Sequence, residues 1–246
     1  MGRQVADAIG ATEGMRLVGF LDGLATEDTF DGLIVSSVPA HFFSMIPTDV
    51  VIDFTNAAWT PGLAQAALDS DCRLVIGTTG LGDDFMQWLD DECTKRGLGA
   101  VVAPNFAIGA VLMMHFAKQA ARFFDYAEII ELHHEQKVDS PSGTAKTTAE
   151  LMAAAREQPF EYRESEKETL PGARGAESSG IAIHSVRLPG LVAHQEVIFG
   201  GLGQTLSVRH DTTGRESFMP GVIAATRAVI GQKGLIVGLD KLFGLD

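Results

Sequence analysis

Residues 49–79, DVVIDFTNAAWTPGLAQAALDSDCRLVIGTT, decide the fold. An apolar run containing Val50, Val51 and Ile52 predicts a strand over 49–55, a helix follows at about 57–69, and a second apolar run predicts a strand over 73–79. Apolar residues on consecutive rather than alternate positions mark strands that are covered on both faces. Strand, helix and strand in that order are how a parallel α/β sheet is written. The same alternation runs outward in both directions, with strands predicted at 16–22, 33–38 and 99–105 and a helix at 82–97.

Beyond residue 106 the pattern changes. The segment IGAVLMMHFAKQAARFF places Val111, Met114, Ala117 and Ala121 at helical spacing, so its methionines and aromatics read as core rather than as a cofactor box. AEIIELHH follows, then a helix, then β-rich runs at 181–188, 194–199 and 204–210 without long helices between them. That is an α+β arrangement with a mainly antiparallel open sheet. Residues 156–180 are charged and rich in turn formers and are expected to be a long surface loop. A final helix at 217–230, with Pro220 in its first turn and Gly231 as its stop, is expected to return to the first domain.

Composition excludes several function classes. The chain has 246 residues, 46% of them hydrophobic, enough for a substantial core. Acidic residues outnumber basic ones 32 to 19, a formal charge of −13, which argues against nucleic acid or an anionic membrane as partner. An anionic substrate must then be held by a local cationic pocket. Cys72 and Cys93 have no metal-site spacing and cannot form a disulfide framework, and no segment reads as a membrane span or a secretory signal. A soluble, unexported protein of a reducing cytoplasm is the expectation.

The chemistry concentrates in residues 131–145, ELHHEQKVDSPSGTA. A strand is predicted to run to about His134, and Ser142 is predicted to cap a helix opening with Gly143 and Thr144. A helix start exposes unpaired N–H groups and a partial positive charge, which suits a carboxylate, and a glycine there permits close approach. His133, His134 and Lys137 add donors that can be cationic, and His133 and Lys137 can supply protons. One at a time, these residues read equally well as a solvated strand end and a surface lysine; the combination with PSGTA is what separates a site from a surface. Adjacent histidines also raise a metal site, but no third ligand is suitably spaced and a neighbouring lysine disfavours a dication, so no metal is expected.

The cofactor side is fainter. Asp22 closes the run RLVGFLDG where dinucleotide-binding folds place the carboxylate that accepts the ribose hydroxyls, although an acid after a strand is often only a turn residue. No arginine follows it to meet a 2′-phosphate, which favours NADH. Gly77 and Thr79 end one strand, and Pro104, Asn105 and Phe106 end the next, at the carboxyl edge of the expected sheet.

The segment 131–145 closely resembles the signature of the 4-hydroxy-tetrahydrodipicolinate reductase (dihydrodipicolinate reductase) family. The likeness covers almost the whole chain, through VVIDFT, VIGTTG, APNFAIGA, LPGARG, VRLPGLVAHQEVIFG and SVRHDTTGRESFMPGV, and is strongest to actinobacterial members. It implies NADH- or NADPH-dependent reduction of a cyclic dicarboxylate to tetrahydrodipicolinate, in lysine and diaminopimelate synthesis. It assigns His133 as general acid and Lys137 as the residue that binds and polarises the substrate. His134, Ser142, Gly143 and Thr144 become substrate-carboxylate contacts. Asp22 goes to the cofactor ribose, and the two turns at Gly77 to Thr79 and Pro104 to Phe106 lie around the nicotinamide. It further implies a nucleotide domain of residues 1–106 and 214–246, a substrate and oligomer domain of 107–213, a hinge near Arg215, and a homotetramer formed through the second sheet.

One departure is visible. The chain opens at MGRQVADAI, which matches the end of a glycine-rich phosphate loop and its following helix, with Gly2 as the third, helix-packing glycine. The expectation is weak cofactor binding and a coding sequence that begins further upstream. Two alternatives remain beside the reductase: a relative that binds dicarboxylate without catalysis, and a reductase of another cyclic imino acid.

Overall fold

The structure, a computed structural model, describes residues 1–245. The chain divides into two compact units, the first made of Met1–Ile108 with the stretch from Phe218 onward, the second of Gly109–Ser217.

Unit 1 opens with α1 (Gly2–Gly10), β1 (Gly19–Leu21), β2 (Thr29–Phe30), β3 (Leu33–Ser36) and α2 (Pro39–Met45). It continues through β4 (Val50–Asp53), α3 (Thr60–Asp69), β5 (Arg73–Ile76), α4 (Asp83–Arg96) and β6 (Gly99–Val102). The ends of α4 show why the sequence stops and starts there. Asp83 and Asp84 lie in its first turn, Lys95 and Arg96 in its last, and Gly97 caps it at φ 69°, the left-handed conformation that favours glycine. β4, β5 and β6 pair in parallel. Leu74, Ile76, Ala100 and Val102 pack with Leu63, Leu68 and Leu89 in one buried cluster.

Unit 2 is built from α5 (Ile108–Ala120), a 3-10 turn (Ala121–Phe123), β7 (Tyr126–His133), α6 (Gly143–Ala154), β8 (Ala176–Ser178), β9 (Ile181–Arg187), β10 (Ala193–Gly201) and β11 (Gln204–Thr212). Its sheet runs β11-β10-β7-β9-β8, antiparallel except for the β7–β9 pair. The odd-numbered residues of β7, Ala127, Ile129 and Glu131, are buried. Ala127 and Ile129 pack with Ala145, Ala149 and Met152 of α6, so period-two alternation on the strand meets the helix.

The chain then returns to unit 1. A 3-10 turn (Arg215–Phe218) leads into α7 (Met219–Val229), followed by β12 (Gly234–Val237) and α8 (Leu239–Leu242). α7 packs on α1, β5 and β6, and β12 extends the parallel sheet to β12-β6-β5-β4. β1, β3 and β2 form a separate sheet, with β1 and β3 parallel. The edges of the two sheets, β1 and β4, face each other across a cavity of about 670 Å³, which is also lined by Val5 and Ile9 of α1 and Ile230. The nucleotide-type sheet is thus in two parts, with the cavity at the point where strand order reverses.

Two expectations are corrected. Residues 156–180 are not simply a surface loop. The Arg156 side chain is almost fully buried, donating to the carbonyls of Ala121 (2.8 Å) and Phe124, and its guanidinium lies 4.2 Å from the centroid of the buried Phe160 ring. A charged composition concealed these anchors, and β8 forms within the same stretch. Several strands of unit 1 are also shorter than expected, whereas β10 and β11 are longer than the expected 194–199 and 204–210. In β4, Asp53 accepts the N–H of Thr55 at 2.9 Å and so ends the strand before 55.

Candidate active site

The segment 131–145 occupies the end of β7, a turn and the start of α6. His133 is the last residue of β7 and His134 lies exposed just beyond it. The carbonyl of His134 accepts the N–H of Lys137 at 3.2 Å, closing the turn. Ser142 caps α6 as expected, its Oγ accepting the N–H of Ala145 at 3.2 Å. A methyl group added at Gly143 would meet nothing within 4 Å, so the mouth of the helix is open to a ligand.

The group that organises this segment is Glu131, which is 0% exposed. Its Oε2 lies 2.5 Å from Nδ1 of His133, and Arg187 donates to both of its oxygens, at 2.8 Å and 2.7 Å. Its Oε1 also accepts the N–H of Ser142 at 3.2 Å. Burial pushes the Glu131 carboxyl up, but the hydrogen bonds from His133, Arg187 and Ser185 outweigh it and leave the group at about 2. Arg187 also donates to the carbonyl of Asp139 at 2.8 Å, and the carboxylate of Asp139 accepts from Nζ of Lys137 at 2.7 Å. A single network therefore links His133, the α6 start and the loop bearing Lys137.

Sequence reasoning found the donors and missed what holds them. Glu131 was findable, since positions i and i+2 of a strand share a face. Arg187 was not, because it reaches Glu131 through the β7–β9 register, where Arg187 stands opposite His133. Two expected roles change in detail. Ser142 has its N–H held by Glu131 and its Oγ accepting from Ala145, so what it can offer a ligand is its hydroxyl proton, beside the N–H groups of Gly143 and Thr144. Lys137 is already paired with Asp139, so a ligand must share its three ammonium protons.

The cofactor-side residues lie in unit 1 at carboxyl ends of strands. Asp22 follows β1, exposed, with Oδ1 accepting the N–H of Leu24 at 2.9 Å. Thr79 follows β5 and is exposed, and Pro104 and Asn105 follow β6, where Asn105 Oδ1 accepts the N–H of Ala107 at 2.9 Å. Gly77 is needed for a reason other than ligand approach, because an added Cβ would stand 2.1 Å from the Phe54 ring. Phe54 in turn meets Phe106 at 5.4 Å between centroids, and Phe106 is 1% exposed, so only its backbone can serve a ligand. Beneath these turns the buried Asp53 accepts from Thr60 Oγ1 (2.5 Å), Thr78 Oγ1 (3.1 Å) and Thr55 Oγ1 (2.6 Å), a brace that sequence reading did not identify. Exposed polar groups at the carboxyl ends of β1, β5 and β6, on a parallel sheet, fit a dinucleotide cofactor.

A parallel sheet with dinucleotide-type edges, joined in one chain to an open mixed sheet bearing buried acid–base groups, defines the class of two-domain nicotinamide-dependent reductases. The chain belongs to the dihydrodipicolinate reductase family: the family's N-terminal model matches residues 1–106 and its C-terminal model residues 109–243. The chain is 46% identical over 259 residues to the 4-hydroxy-tetrahydrodipicolinate reductase of Moorella thermoacetica, covering 98% of this chain and 93% of that one. The enzyme of the same name from Cutibacterium acnes is 45% identical over 249 residues, covering 100% and 95%. Among solved structures, the dipicolinate-bound dihydrodipicolinate reductase from Paenisporosarcina sp. TG-14 superposes with a TM-score of 0.90 at 42% identity, covering 98% of this chain and 94% of that one.

Proposed function

We propose that this chain catalyses the NADH- or NADPH-dependent reduction of 4-hydroxy-tetrahydrodipicolinate to tetrahydrodipicolinate, a step of lysine and diaminopimelate biosynthesis. The observation that carries the reading is the Glu131 network, which fixes a proton donor beside an open helix start in a chain of this family. A reduced nicotinamide, when bound, supplies the hydride to the unsaturated ring, and the 4-hydroxyl leaves as water. In its doubly protonated form, with Nδ1–H donated to Glu131, His133 delivers the proton on Nε2 and is left as the neutral Nδ1–H tautomer. Lys137 and the N–H groups of Gly143 and Thr144 hold the two carboxylates, with His134 as a further donor at the rim. Asp22 serves the cofactor ribose, and Thr79, Asn105 and the backbone at Gly77, Pro104 and Phe106 serve its nicotinamide end.

Residues 1–106 with 214–246 act as the nucleotide domain and 107–213 as the substrate and assembly domain. The active form is a cytoplasmic homotetramer joined through the face of the second sheet that α6 does not cover. That face presents Ile130, Leu132, Val186 and Ile198, apolar residues only half-buried within the chain. Light scattering of the purified protein is expected to give four chains; a monodisperse monomer would remove the assembly from the proposal.

The alternative is a protein that binds dicarboxylate without turnover. Mixing the purified protein with aspartate semialdehyde, pyruvate, the upstream synthase and NADH separates the two. Loss of NADH absorbance is expected, reduced by about 100- to 10,000-fold in His133→Gln. Calorimetric binding of dipicolinate with no NADH loss would establish the second reading instead.

A further inference from the structure

His133 can act as an acid only from a ring nitrogen that is free to meet a ligand, and neutral imidazole distributes its proton between two nitrogens. We propose that Glu131 is the positioning residue of the reaction: a buried carboxylate that fixes His133 with Nδ1–H donated to Glu131, leaves Nε2 to the substrate, and sets the α6 start in register with it. The inference rests on the reductase reading for its catalytic meaning, and on geometry alone for the tautomer.

Three observations carry it. First, Glu131 lies 2.5 Å from Nδ1 of His133 and is fully buried, so no solvent competes for that contact. Second, the two-pronged ion pair with Arg187 occupies both carboxylate oxygens and keeps the group ionised, hence acceptor-only, so the proton between it and Nδ1 belongs to the imidazole. Third, the same carboxylate accepts the N–H of Ser142, the cap of α6. Both the proton donor and the carboxylate-binding helix start are thereby tied to one rigid group. Position 131 on the strand makes this possible: residues 131 and 133 share the helix-covered face of β7, and Arg187 stands opposite His133 on β9. A purely structural ion pair would need Arg187 alone; it would not require a further contact to His133 and another to the helix cap.

Two measurements test this. In ¹⁵N-histidine-labelled wild-type protein, with the His133 signals assigned by their disappearance in His133→Gln, neutral His133 is expected to show a protonated Nδ1 and a bare Nε2. The opposite tautomer would overturn the proposal whether or not any variant folds and whether or not the protein reduces its substrate. In steady-state kinetics, Glu131→Gln is expected to lose at least about tenfold in kcat with KM changed far less, since an isosteric amide keeps the cap contact but no longer fixes the ring. Glu131→Asp, which restores the charge, is expected to recover part of the loss. Wild-type kcat in a folded Glu131→Gln protein that still binds dipicolinate would also overturn it. Absent turnover in the wild type, with the expected tautomer present, would instead reject the reductase reading and leave the positioning geometry standing.

Discussion

Glu131 also couples the site to the stability of unit 2. Its carboxyl is held at about 2 against an ordinary value of 4.5, a depressed folded-state value, so the stabilisation is present above about 4.5 and is lost as pH falls from there towards 2. The shift corresponds to on the order of 3 kcal/mol. Denaturant unfolding between neutral pH and pH near 3 is expected to show a loss of this kind in the wild type and a flatter profile in Glu131→Gln; identical pH profiles would contradict it. At this scale the sequence was legible for groups that carry chemistry on their own. The Ser142 cap can be recognised from type and position, and His133 and Lys137 as candidates only in combination with it. Glu131, Arg187 and Asp53 work through contacts made by register and burial, and a carboxylate in a sequence looks the same whether it faces water or an arginine. Gly77 shows the limit from the other side: its glycine was visible, but its reason, the ring of Phe54, lies just past the end of β4.

Among elements, α6 bears the clearest test. Its first turn has Ser142 Oγ as a cap for the N–H of Ala145, while the N–H of Ser142 is held by Glu131. Ser142→Ala is expected to cost about 0.5–2 kcal/mol in unfolding free energy. The same change should weaken dipicolinate binding measured by calorimetry, because a frayed first turn no longer presents Gly143 and Thr144. Unchanged stability would mean that the cap is dispensable. The cores of β4, β5, β7, β10 and α4 were legible, since each follows period or apolar run, and α4 carries its own charge and glycine punctuation. β12, α8 and α2 were not, being stabilised by what they pack on rather than by a local pattern. β8 and the buried Phe160 were hidden inside a charged segment, where anchoring depends on Arg156 reaching backbone carbonyls rather than on local composition.

The architecture of the whole chain was the most legible part, because alternation of strand and helix in the first half and its loss in the second are long-range patterns that no single contact can disguise. The two sheets of unit 1 are separated by the 670 Å³ cavity bordered by β1 and β4. Strands paired on both sides should protect their amides better than strands bordering that space. Hydrogen exchange is therefore expected to be slow in β5 and β6 and faster in β1 and β4; uniform protection across all four would show that the two sheets close on each other.

The central claim, that this chain transfers hydride to a cyclic dicarboxylate, is tested most directly by isotope. NADH deuterated at both C4 positions, supplied with enzymatically generated 4-hydroxy-tetrahydrodipicolinate, is expected to yield tetrahydrodipicolinate carrying a single deuterium by mass spectrometry, with the His133→Gln protein yielding almost none. Undeuterated product, or unreduced substrate beside intact NADH, would contradict it.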